Sequence, residues 1–148
     1  MLKFTRSVLL TVALLLTGAT ASVADANIHR LALQISDNNP QKMATVLNVA
    51  ANVSRHYSSL GEEVEIRIVA FNTGLHMLRE DTSPVLDRLK SFEQSMPNVT
   101  FAACGNTLQA MAKKEGQMPP VVAMAEQVPA GVVDLMTLQE AGWTIIRP

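Results

Sequence analysis

A three-layer α/β/α domain on a mainly parallel five-stranded sheet, in the order βαβαβαβαβ, is the fold class this sequence predicts. Two observations predict it. Short runs that are β-branched and almost wholly apolar recur along the chain, as strands covered on both faces require. Between them lie stretches whose apolar residues return at helical spacing, and that alternation is the mark of parallel strands joined by covering helices.

The elements follow in order. Leu31 to Ile35 (LALQI) reads as the first strand and ends in a dense turn cluster, Ser36-Asp37-Asn38-Asn39-Pro40. Pro40 suits a first helical turn, where its missing N–H has no partner to lose. Leu47, Ala50, Val53, Tyr57 and Leu60 then repeat at helical spacing until Gly61, a natural stop. Val64 to Phe71 (VEIRIVAF) is a buried strand. Ser83-Pro84 reads as a cap and first-turn proline for a helix whose inward stripe is Val85, Leu89, Phe92 and Met96. Val99 to Ala103 (VTFAA) is the third strand, and Asn106 or Thr107 is expected to cap a helix that ends at Gly116. Val121 to Ala125 (VVAMA) is expected as the fourth strand, Val132 to Ala141 as the fourth helix and Trp143 to Ile146 as the last strand. His29 is expected just ahead of the first strand. The pattern does not fix strand order.

The first residues read as a secretory signal. Lys3 and Arg6 precede the apolar run Val8 to Leu16, and small residues follow with two A-x-A sites, after Ala21 or after Ala26. A membrane-spanning helix needs about 20 apolar residues, roughly twice this core. Residues 1–26 are therefore expected to be removed, leaving 27–148 as one exported domain without a stable membrane anchor, in the periplasm or an equivalent space. The chain has 12 Lys and Arg against 13 Asp and Glu, and loss of Lys3 and Arg6 makes the remainder more acidic. Nucleic acid is not an expected partner, because phosphate backbones demand a concentrated basic face.

Four loops fall beyond the carboxyl ends of the predicted strands, where open parallel sheets keep their sites: Ser36 to Asn39, Asn72 to Gly74, Cys104 to Asn106, and Val128 to Gly131. The second of these holds Asn72 and Gly74, followed at once by His76. The third begins with Cys104, the only cysteine, with Gly105 and Asn106 beside it. A lone thiol in an exported chain is buried and inert, paired between chains, or chemically used. At a helix start the exposed N–H groups and the dipole favour an anion, so the thiol of Cys104 is expected to ionise more readily than an ordinary one. His76 is a candidate to carry a proton nearby. His29, His56 and His76 are too scattered for a spaced metal motif, so no metal or other cofactor is expected.

Several motifs are missing. No C-x-x-C supports a dithiol cycle, no G-x-G-x-x-G or G-x-x-x-x-G-K-[ST] supports nucleotide binding, and no G-x-S-x-G supports a hydrolase elbow. The sequons Asn52-Val53-Ser54 and Asn98-Val99-Thr100 are read as chance. Phe71, Leu75, Met77 and Leu78 cluster around one connection, which is expected to pack on a neighbouring subunit.

The runs Val99-Thr100-Phe101-Ala102-Ala103-Cys104-Gly105-Asn106-Thr107-Leu108 and Gly131 to Trp143 (GVVDLMTLQEAGW), with the ending Ile146-Arg147-Pro148, resemble the exported branch of the DsrE/DsrF-like sulfur-relay family. The resemblance implies an α/β/α fold, homo-oligomers (often trimers or hexamers) and a strand-end cysteine, here Cys104, that accepts a persulfide from a sulfur donor and passes it to an acceptor. Asn72-Thr73-Gly74 departs from the G-P-G-type turn common there. Asn72, Gly74, Gly105, Asn106 and His76 are the residues expected around Cys104. The competing expectation is an oligomeric binding module, without catalysis, for a small ligand or partner protein, in which Cys104 is part of the core.

Overall fold

The structure, a computed structural model, describes residues 28–148; the expected signal segment lies outside the described residues. Five strands form one sheet: β1 (His29–Ile35), β2 (Val64–Ala70), β3 (Val99–Cys104), β4 (Ala125–Val128) and β5 (Thr144–Ile146). Their order is β4-β3-β2-β1-β5, and every pairing is parallel. The helices are α1 (Pro40–Leu60), α2 (Leu86–Ser95), α3 (Gly105–Glu115) and α4 (Gly131–Glu140), with a 3-10 segment at Asn72–Leu78. Right-handed crossovers explain the layering. Stepping from β1 to β2, β3 and β4 moves one way across the sheet, so α1, α2 and α3 share one face. The return from β4 to β5 reverses direction and carries α4 to the other.

The two faces differ in depth. Leu31, Leu33, Ile35, Ile66, Ile68, Val99 and Phe101 alternate onto the first face, where Met43, Val46, Leu47 and Ala50 of α1 and Leu89 and Phe92 of α2 meet them. Among the described residues, the buried apolar cluster on the second face is Ala32, Val69, Ala102, Val128 and Leu135, rimmed by Phe71, Leu138, Trp143 and Ile145. Small residues let α4 lie close to the sheet. Arg67, on β2, ties it there through Asp134 of α4 at 2.9 Å and Glu126 of β4 at 2.9 Å.

Local chemistry explains most boundaries. Asn39 caps α1, its side chain accepting from the Gln41 and Lys42 N–H groups, with Pro40 in the first turn, and Gly61 ends it in the left-handed conformation. Other boundaries moved. The fourth strand is Ala125–Val128 rather than Val121–Ala125, because Val121 instead bridges to Arg79, and the Val122 N–H donates to Leu78 O. Ser83 does not cap α2; its hydroxyl donates to Met77 O at 2.6 Å, and the helix begins at Leu86. His29 lies within β1, stacked on Tyr57. Leu75, Met77 and Leu78, expected against a neighbouring subunit, are fully buried in the chain's own core. Their run folds inward as a 3-10 turn under α1 and α3, so the apolar residues cover one subunit rather than join two.

Asn98 has a structural task. Its Nδ2 donates to Ser54 Oγ at 2.9 Å and to Val64 O at 3.0 Å, tying the start of β3 to α1 and β2. Ser54 is buried, so losing the amide leaves polar atoms short of partners. Asn98→Ala is expected to cost about 1–2 kcal/mol, read as a lower urea midpoint with unchanged slope. Among the described residues, no helix is long and apolar enough to cross a membrane.

Candidate functional site

The carboxyl ends of β2, β3 and β4 open onto a cavity of about 630 Å³ lined by Asn72, His76, Cys104, Asn106, Thr107 and Gly131, among others. Ser36 to Asn39, the first of the four carboxyl-end loops, is not part of it. Cys104 ends β3 and is itself the residue that caps α3, with extended backbone. The cap expected at Asn106 or Thr107 is therefore corrected: both lie inside the first turn of α3, which starts two residues earlier than their residue types suggest. The residue is only 6% exposed, so the sulfur lies at the cavity floor rather than out in solvent.

What faces that sulfur decides its chemistry. Burial pushes the thiol toward its neutral form, but the Thr107 hydroxyl and the N–H groups of Gly131, Thr107 and Asn106 outweigh it, and the thiol is held below its ordinary value. These contacts are loose: no amide of the first α3 turn closes a capping bond on Cys104. The Asn106 N–H is partly spent on Pro129 O at 3.2 Å, which leaves Thr107 and Gly131 as the freer donors. Both belong to first turns of helices, where the N–H groups have no partner in the helix itself. Cys104 thus meets two helix starts: α3 along the chain, and α4 across the sheet edge.

Two glycines permit the convergence. A Cβ on Gly131 would stand 3.1 Å from Phe71 Cβ and 3.3 Å from Cys104 Cβ; its bareness lets the α4 start reach the sulfur. A Cβ on Gly105 would lie 2.9 Å from Val128 O, so Gly105 lets α3 start against the end of β4. Gly105 does not line the cavity. Nor does Gly74, whose Cβ would fall 2.3 Å from Ile35 O. Both were expected as binding residues; both instead allow close backbone approach, which positions the lining.

Asn72, His76 and Asn106 do border the cavity. His76 Nδ1 is hydrogen-bonded to Thr82 Oγ1 at 2.8 Å, and among the described residues no hydrogen bond joins it to Cys104. The far wall carries Met111, Lys114 and Glu115. Arg79, buried, grips Glu115 at 2.7 and 2.9 Å and Asp81 at 2.8 and 2.7 Å. The Arg79 guanidinium holds the Glu115 carboxyl below the usual carboxylate range, so that wall stays ionised.

Sequence reasoning missed Thr107 and Gly131 as site residues. Thr107 sits three residues into the helix that Cys104 caps, the position whose side chain reaches back toward the cap, and that spacing is legible in the sequence. Gly131 offered only a glycine after a strand; its nearness to Cys104 depends on β3 and β4 being neighbours.

No family model matches the chain, and no curated protein matches it. Among solved structures, the chain is similar to a protein of unknown function, MTH1491 from Methanobacterium thermoautotrophicum, with a TM-score of 0.67 and 26% sequence identity over 81% of this chain and 99% of that one. That likeness extends over almost the whole described domain and accords with its α/β architecture.

Proposed function

We propose that this chain is an exported sulfur carrier of the DsrE/DsrF-like kind, with Cys104 as the atom that accepts and releases sulfur. One observation carries the reading: the only thiol lies at the floor of an open cavity, faced by N–H groups from two helix starts and by a hydroxyl that favour its thiolate. Thiolate is the form that attacks sulfur. The Cys104 thiolate attacks a terminal sulfur of an inorganic polysulfide; a new S–S bond forms as the polysulfide's bond breaks, and the shortened polysulfide departs with the electron pair. An acceptor thiolate then attacks the outer sulfur of the Cys104 persulfide, taking that sulfur and returning Cys104 as thiolate. No net oxidant or reductant is consumed. Asn72, His76 and Asn106 border the path of the donor.

Homo-oligomers are part of the same proposal. Val132, Val133 and Met136 of α4 are 53%, 58% and 57% exposed, and among the described residues α4 is the only helix on its face of the sheet. Such an apolar surface favours a second copy.

The test is direct. The native protein, treated with polysulfide and weighed intact, gains about 32 Da per sulfur bound; no gain defeats the reading. The competing reading, a binding module with a structural cysteine, draws on the 6% exposure of Cys104. It is favoured if a small maleimide labels Cys104 only after denaturation.

A further inference from the structure

We propose that the donor this cavity takes is a small organic persulfide with a carboxylate about 10 Å from its outer sulfur, and that Lys114 is the residue that binds the carboxylate. This deepens the sulfur-carrier reading and rests on it, since it names the kind of molecule that meets Cys104.

The shape of the cavity carries the argument. Thr107, Ala110, Met111 and Lys114 of α3 line it, and Cys104 stands at the start of that helix. Residues three and four apart share one face of a helix. The four therefore form a single stripe, and the cavity follows α3 from its first turn to its last. From Cys104 to Lys114 the helix rises about 15 Å, and side chains slant back toward the helix start, which brings the Lys114 ammonium to about 10 Å from the sulfur. The lining between the two ends is largely apolar: Ala110 and Met111 on α3, with Phe71 at the end of β2 and Ala130 and Val132 around the start of α4. A short inorganic anion leaves those walls wet. A carbon chain covers them.

The charge at the far end suits an anion. Among the described residues Lys114 forms no ion pair, and the lining includes no other Lys or Arg. Glu115 lines the same cavity, but both of its oxygens are taken: Arg79 Nη1 donates to Oε1 at 2.7 Å and Nη2 to Oε2 at 2.9 Å. The second carboxylate that Arg79 grips, Asp81, does not line the cavity. Adjacent residues do not face each other on a helix, so Glu115 is no partner for Lys114. Arg79 thus withdraws the one carboxylate that would repel an anionic ligand, and the ammonium beside it is left unpaired.

The transfer balances without an oxidant or reductant. The Cys104 thiolate attacks the outer sulfur of the donor R–S–SH, and a new S–S bond forms as the donor's S–S bond breaks. The organic thiolate leaves with the electron pair, and the proton stays on the sulfur transferred.

The experiment compares two thiol probes of one shape, maleimidohexanoic acid and its primary amide, which differ only in the charge at the far end. Their rates of reaction with Cys104 are measured in the full protein for wild type, Lys114→Met and Lys113→Met, with a thermal melt of each. The acid-to-amide ratio is normalised to that of the urea-unfolded chain. The wild-type ratio is expected to be about threefold, the effect of one exposed ion pair, and to fall toward one at high salt. Lys114→Met brings it to one. Lys113, exposed on the same helix but outside the cavity lining, is the control, and Lys113→Met keeps the wild-type ratio. A wild-type ratio of one, a ratio that Lys114→Met leaves unchanged or Lys113→Met lowers equally, or a native protein that neither probe labels overturns the inference. Intact mass after polysulfide treatment keeps the two claims apart. Sulfur uptake with no preference for the acid defeats the organic donor alone. Preference for the acid with no sulfur uptake supports the Lys114 subsite and defeats the carrier.

Discussion

Serine in place of Cys104 is expected to end sulfur uptake completely and also to change how stability depends on pH. The first effect follows from there being one thiol in the chain; intact mass after polysulfide treatment reads it, and any adduct on Cys104→Ser would place the chemistry elsewhere. The second follows from linkage. The native thiol is held below its ordinary value by the Thr107 hydroxyl and neighbouring amides, against the opposing effect of burial. A free cysteine ionises near pH 8.5. Below the native value both folded and unfolded thiols are protonated, and the cysteine adds nothing to the pH dependence. Between the two values the unfolded chain binds more protons than the native one, so stability rises with pH. Above the unfolded value both are ionised and the gain is complete. The stability of wild type relative to Cys104→Ser should therefore climb with pH on the way up to the free-cysteine value of about 8.5 and level off above it. Urea unfolding of both proteins across that range measures it. A constant difference would mean that the amides facing the sulfur do not favour its charge.

The second large effect concerns a residue that never touches the cavity. Gly74→Ala places a Cβ 2.3 Å from Ile35 O, 2.6 Å from Ile35 C and 2.8 Å from Ser36 N. All three are backbone atoms at the end of β1, and none can turn aside as a flexible side chain would. Relief requires the 3-10 segment to lift away from β1, and that segment buries Leu75, Met77 and Leu78 completely. The expected cost is about 3 kcal/mol, the upper end for overpacking, or a melting temperature lower by about 10 °C. Gly61→Ala is the control. Its φ of +72° strains an alanine, but nothing lies within 4 Å of the new Cβ, so the loss should be about 1–2 kcal/mol. Equal losses at the two positions would show that conformation rather than space governs Gly74.

How much of the site was legible depends on the distance between its parts along the chain. Cys104 at the end of an apolar run, followed by a helix, was readable because strand, cap and helix are adjacent in sequence. The placing of Asn72 and His76 near it was readable from the rule that carboxyl-end loops share one side of a parallel sheet. Gly74 and Gly105 were seen as special, but as binding residues. A glycine needed for ligand approach and one needed for backbone approach look alike until the neighbouring strand is in place. The apolar run Leu75 to Leu78 was misjudged for a related reason: its hydrophobicity is a local fact, whereas the surface it covers is set by β1 and α1. Val121 to Ala125 has strand composition, yet its first residues pair with the end of the 3-10 segment, and the ladder to β3 begins only at Ala125.

By itself the sequence determined the alternation of strands and helices, the termini marked by Pro40, Gly61 and Gly116, and the position of the one thiol at a helix start, because periodicity, capping and turn chemistry act over a few residues. Only the tertiary structure decided that β3 lies between β2 and β4 and that α4 crosses to the opposite face. Those placements bring the start of α4 at Gly131 against Cys104 and the Asn72 amide onto Thr107 at the same cavity. They depend on crossover handedness and on bare glycines where backbones meet, and such encounters between distant segments leave no periodic trace in the chain.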